Sequence, residues 1–159
     1  MKKIVFIAAV FILWISFDVY GLNNSFLDIR NKIFEESQEI KSLLPNSKDA
    51  ILLSSVWDTC LIAMSQLDAY FHMLGIFNTI KEKDLSREAA AELSQWLSEI
   101  KRSSELNIKI LNESARPVEA STKDHIEKIK SYFGGLNLKI DAELGKISSL
   151  DKSIKRKKR

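Results

Sequence analysis

Two histidines, His72 and His125, and one cysteine, Cys60, are the side chains best suited to proton transfer or nucleophilic attack near neutral pH. A hydrolytic triad needs a nucleophile, a base and an orienting group brought together, and neither histidine lies in a local signature of that kind. His72 follows Asp68 by one helical turn, so the two could share a proton on one helix face, with Asp58 extending the same stripe. A narrow polar stripe on an apolar helix reads first as the face that meets water, and only second as a channel or ligand site. His125 follows Asp124 at the start of a helical pattern, where exposure to solvent is expected.

Metal sites in helical bundles use glutamates and Glu-x-x-His pairs. Neither histidine has Glu three residues before it, and no His-x-x-x-His pair is present. Gly134-Gly135 lacks the spacing of a phosphate loop and follows no strand, so it reads as a bend. One cysteine excludes an intramolecular disulfide and any multi-cysteine zinc site. Cys60 shares an apolar face with Trp57 and Met64 and reads as a small buried hydrophobe, the rival being an intermolecular disulfide if it is exposed. Trp57, Trp96 and Tyr132-Phe133 are spaced as core anchors. The expectation is no catalytic residue, no metal ligand set and no cofactor.

The strongest local signal lies at the C-terminus. Lys152, Lys155, Arg156, Lys157, Lys158 and Arg159 place six positive charges in the last eight residues, with no negative one. Residues 22–151 carry 16 basic against 20 acidic side chains, so a formal net charge of +3 conceals an acidic body and a basic tail. Such a cluster attracts polyanions: sulfated glycans, anionic phospholipid, nucleic acid or an acidic protein surface. Near an anionic membrane each basic residue contributes about 1 kcal/mol, in a salt-sensitive way. Nothing points to sequence-specific nucleic acid.

The N-terminus reads as an address. Met1-Lys2-Lys3 is followed by Ile4 to Phe17 with only Ser16 polar, then Asp18 and Val19-Tyr20-Gly21. A basic start, a short apolar run and small residues at the cut define a secretory signal peptide, here ending after Gly21. An uncleaved anchor is the rival, although Asp18 interrupts the run well before the roughly 20 residues a spanning helix needs. Asn23-Asn24-Ser25 and Asn112-Glu113-Ser114 match the glycosylation acceptor pattern.

Four helical patterns lie between these ends. Ser25 caps the first, whose apolar residues Phe26, Ile29, Ile33, Ile40 and Leu44 leave Arg30, Lys32, Glu35, Glu36, Glu39 and Lys41 mostly elsewhere, until Pro45 stops it. Asn46 or Ser47 caps the second, which runs to about Ile80 and is apolar nearly all round. Ser47, Ser54, Asp58, Ser65, Asp68, His72 and Thr79 share its one polar stripe, about 80° wide. A helix of that kind is expected to be central, surrounded by neighbours. Asp84 or Ser86 caps the third, and Pro117 ends it. Ser121-Thr122-Lys123-Asp124 opens the fourth, with the acidic residue where the helix dipole favours it. Its seam runs from Ile126 to Ile154 across Gly134-Gly135, where two glycines cost roughly 1–2 kcal/mol and predict a kink or break.

Five Gly and two Pro in 159 residues are too few for an all-β fold, and 45% apolar with 28% charged residues is a globular balance. The expected architecture is all-α: a signal peptide over 1–21, an antiparallel up-down bundle of about four helices over 22–151, and a basic tail over 152–159. The expected function is that of a secreted, non-enzymatic protein of effector or inhibitor type, binding an extracellular protein or sulfated glycan. The alternative is an extracellular lipid-binding or lipid-carrier bundle that opens its apolar faces onto lipid, with anionic lipid as a partner.

Overall fold

A computed structural model describes residues 26–77, 83–113 and 116–156. The helices are α1 over 26–43, α2 (Ala50–Phe77), α3 (Lys83–Glu113) and α4 (Ala120–Arg156), with a 3-10 turn at Leu44–Asn46 between the first two. No strand occurs among the described residues. The protein is an all-α helical bundle. The leader Met1 to Gly21, Asn23, the Ser25 cap, residues 78–82 and the tail residues Lys157, Lys158 and Arg159 lie outside the described residues.

Helix ends depart from the sequence expectation for local reasons. Pro45 holds the chain in the 3-10 turn and Ser47 is extended (φ −88°, ψ 140°), so α2 starts later than an Asn46 or Ser47 cap predicts. The cap is Asp49, whose carbonyl accepts the Leu53 N–H at 2.9 Å, while Ser47 Oγ accepts the Asp49 N–H at 3.0 Å. Helix α3 starts at Lys83, which puts Asp84 and Ser86 inside it rather than at its cap. Helix α4 starts at Ala120, with the Glu119 carbonyl accepting the Lys123 N–H at 3.2 Å, so its first turn holds no acidic residue. Asp124 therefore does not serve the helix dipole.

Helix α4 runs unbroken through Gly134 and Gly135, and no glycine among the described residues has positive φ. The glycines sit between Phe133 and Leu136, both fully buried. Burying each of those side chains contributes about 1.5–3 kcal/mol, enough to offset the propensity lost at the glycines. The Cβ position of Gly135 lies 3.6 Å from Ile29 Cδ1, which marks where α1 crosses α4.

The core draws on every helix: Phe26, Ile29, Ile33 and Ile40 from α1; Leu53, Val56, Cys60, Leu67 and Tyr70 from α2; Leu93, Leu97 and Ile100 from α3; Ile126, Ile129, Phe133, Leu136 and Ile140 from α4. Phe26 and Tyr70 meet edge to face, their centroids 5.6 Å apart, an arrangement that adds about 0.5–1.5 kcal/mol to area burial. Trp57 is half-buried beneath the Lys41 ammonium, 5.4 Å from the ring centroid. Trp96 lies at the rim, its Nε1 donating to the Gln66 carbonyl at 3.4 Å, so it is not the core anchor its spacing predicts.

Helix α2 is not surrounded. Ile51 is 91% and Ile62 55% exposed, on the face that also carries Asp58, Ser65 and His72. Each helix of a four-helix bundle keeps an outward face, and the apolar pattern of α2 is too broad for the three neighbours to cover. By length and composition alone, Ala50–Ile76 is apolar enough to cross a membrane.

Candidate functional site

Ile33, Glu36 and Ile40 recur on α1 at steps of three and four, so Glu36 occupies a position in the buried seam between two fully buried isoleucines. Its residue exposure is 4%, against the polar-face placement that its charge suggests. A carboxylate there is tolerable only with partners, because desolvating an unpaired charge costs far more than burying an apolar group. The partners come from α4. His125 Nδ1 hydrogen-bonds Glu36 Oε1, and Lys128 Nζ lies 3.3 Å from Glu36 Oε2. Glu39, one turn on and exposed, approaches both: its Oε2 is 4.0 Å from His125 Nδ1 and 3.6 Å from Lys128 Nζ.

Two i, i+3 pairs on facing helices thus make a four-residue clasp between α1 and α4. His125, expected in solvent, has a side chain only 13% exposed. Position explains it: Thr122, His125 and Ile129 follow the inward stripe of α4, and Thr122 and Ile129 are fully buried. The Lys128 ammonium is held protonated above its ordinary range by its hydrogen bond to Glu36, then by the charges of Glu36 and Glu39. Burial, with a smaller push from the Glu36 charge, raises the Cys60 thiol to about 12, which leaves it protonated and unreactive at neutral pH. Among the described residues, Glu36, Glu39 and His125 each offer a ligand atom within 4.8 Å of the others.

The polar stripe of α2 meets water, the first of its two sequence readings, and Asp68 turns to Arg30 rather than His72. Arg30 Nε and Nη2 donate to Asp68 Oδ1 and Oδ2 at 3.1 and 3.0 Å, a bidentate bridge from α1 that occupies both carboxylate oxygens. His72, Asp58 and Ser65 are exposed, as a water-facing stripe requires.

A third polar group ties the loops at one end. The Asp49 carboxylate accepts the N–H groups of Val118 at 3.0 Å and Glu119 at 2.9 Å, so one side chain caps the entry to α4 while its own backbone caps α2. Those backbone N–H bonds hold the Asp49 carboxyl below the ordinary range, against the opposing pull of desolvation. Ser47 Oγ donates to Glu119 beside an open depression of about 200 Å³ lined by Ser42, Leu43, Asn46 and Ser121.

Of the polyanion-binding candidates, Lys152, Lys155 and Arg156 belong to the last turns of α4, so the helix continues into the basic segment. Elsewhere on the bundle, Lys101 Nζ reaches Asp141 at 2.6 Å, and Ser104 Oγ donates to the Phe133 carbonyl at 3.3 Å, joining α3 to α4. Asn112 is exposed near the end of α3.

The class these observations define is an all-α helical bundle with a charged clasp set into the α1–α4 seam. The chain matches no protein-family model, no curated protein and no solved structure.

Proposed function

We propose that this chain is an exported, non-enzymatic, antiparallel up-down bundle that works by binding another extracellular macromolecule. The observation that carries the reading is the outward face of α2, where Ile51 and Ile62 stand in solvent among Asp58, Ser65 and His72. Apolar side chains aligned on one exposed face, with a polar surround, suit a protein partner. The basic segment at the end of α4 adds attraction for an acidic surface or sulfated glycan and speeds encounter. The up-down order is supported by cross-links of opposite sense: position 30 meets 68 while 41 meets 57, and 101 meets 141 while 104 meets 133. Export is supported by the leader pattern over Met1 to Gly21.

Expression in a secreting host tests the first part. Protein recovered from the medium should begin at Leu22, and retention of the whole chain in cells would reject export. Deleting Lys155 to Arg159 should shorten retention on a heparin column in a salt-dependent manner, and unchanged retention would remove the tail from the reading. Replacing Ile51 and Ile62 with Glu should abolish capture of a protein partner from native extracellular fluid while circular dichroism stays helical.

The lipid-carrier alternative has one observation in its favour, the membrane-like length and composition of Ala50–Ile76. Native mass spectrometry of the purified chain decides between them: added mass from co-purified lipid supports the carrier, and a bare chain supports the contact protein.

A further inference from the structure

We propose that Glu36, Glu39 and His125 form a Zn²⁺ site bridging α1 and α4, with Lys128 competing for the same two carboxylates. The inference is independent of the partner reading above.

The donor set favours a first-row transition ion over the alkaline earths, and Zn²⁺ is the ion proposed. One imidazole nitrogen and two carboxylates suit Zn²⁺, which binds three protein ligands and a water in open sites, whereas Ca²⁺ and Mg²⁺ favour all-oxygen shells. The geometry requires little movement. Ligand atoms on a tetrahedral Zn²⁺ with bonds of about 2.0–2.1 Å lie roughly 3.3 Å apart. Glu39 Oε2 is 4.0 Å from His125 Nδ1 and the three ligand atoms all lie within 4.8 Å of one another, so the exposed Glu39 closes by no more than about 1.5 Å and the hydrogen-bonded Glu36–His125 pair opens to admit the ion. Positions 36 and 39 on one helix, and 125 on the other, are anchored by the buried Ile33, Ile40, Ile126 and Ile129, which fix the ligand backbone before any ion arrives.

A second observation points to a cation at this place. The Lys128 ammonium already sits between the two carboxylates, 3.3 and 3.6 Å from them, on a side chain that is half exposed. Lys128 thereby neutralises the buried Glu36 in the metal-free protein, and its flexible stem can swing into water when a doubly charged ion takes the carboxylates. Coordination needs the Nδ1 lone pair. The Nδ1 proton therefore moves to Nε2 in the neutral ring, or leaves for solvent from the imidazolium, so binding weakens on acidification.

The test is calorimetric titration of ZnCl₂ into the full chain, repeated with Co²⁺ to read the visible bands of a low-coordinate site. One ion per chain is expected, with His125→Ala and Glu39→Gln each weakening binding by at least about tenfold. Lys128→Ala should tighten it, because the competitor is gone, and His72→Ala should change nothing. Glu39 and Lys128 are exposed enough that their variants keep the fold, which circular dichroism checks. The proposal fails if neither the parent nor Lys128→Ala takes up Zn²⁺ at millimolar concentration. It also fails if His125→Ala and Glu39→Gln bind as the parent does, or if His72→Ala abolishes binding, since each of those means an adventitious ion elsewhere.

Discussion

His72 stands one helical turn from Asp68 on α2, and His125 stands 89 residues from Glu36, yet only the distant pair meets. Around His72 the helix turns to water, and Asp68 is taken by Arg30 from α1. Around His125 two seams close on each other, and the histidine is pressed against a carboxylate that solvent barely reaches. The contrast teaches that closeness along one helix places two side chains on a common face, but the packing of a second helix decides which groups become partners. It also separates two energetic regimes. A half-exposed bridge such as Arg30–Asp68 is screened and exchangeable with water, whereas a buried carboxylate depends on its partners.

The largest effect should come from the apolar frame of the clasp. Ile33→Ala deletes a fully buried side chain next to Glu36 and should cost about 2–5 kcal/mol in urea unfolding, with the variant still helical. His125→Ala should come next, at about 1–3 kcal/mol, because it strips a hydrogen bond from the buried Glu36 and leaves Lys128 as its nearest cation. If His125→Ala costs no more than a surface substitution, the surroundings of the two histidines do not differ in energy.

Asp49 extends the comparison to pH. Its folded-state pKa lies below the unfolded value, so its contribution is complete above about pH 4 and is lost as pH falls through the depressed value. Asp49→Asn should therefore lower stability at neutral pH and flatten the loss on acidification below pH 4, read from thermal midpoints across that range. Smaller again, Arg30→Ala should cost roughly 0.2–1 kcal/mol, an effect that added salt diminishes. His72→Ala should fall within about 0.5 kcal/mol of the parent. A larger loss at His72 than at His125 would invert the comparison.

Helices, breaks and most of the core were legible in the chain. Phe26, Ile29, Ile33 and Ile40 advertise one face of α1, and Pro45 and Pro117 mark where segments stop. Cys60 was readable as a buried hydrophobe from its neighbours Trp57 and Met64 on the same face. The clasp was not legible. The charge of Glu36 points to a polar face, whereas its place between Ile33 and Ile40 puts it in the spacing that buries those isoleucines and position 36 with them. That was the available signal, a polar residue on the beat of an apolar seam. Nothing local revealed that His125 would answer it, since its partner lies on another helix.

Periodicity and composition by themselves determined that this protein is a set of amphipathic helices, because hydrophobic burial acts on each segment through a repeat written in the chain. Tertiary structure alone decided that Asp49 caps two helices, that α2 keeps isoleucines in water, and that a buried glutamate meets a histidine and a lysine. Those outcomes depend on the relative rotation and approach of whole helices. Many side chains share in fixing that geometry, and no single stretch of sequence encodes it.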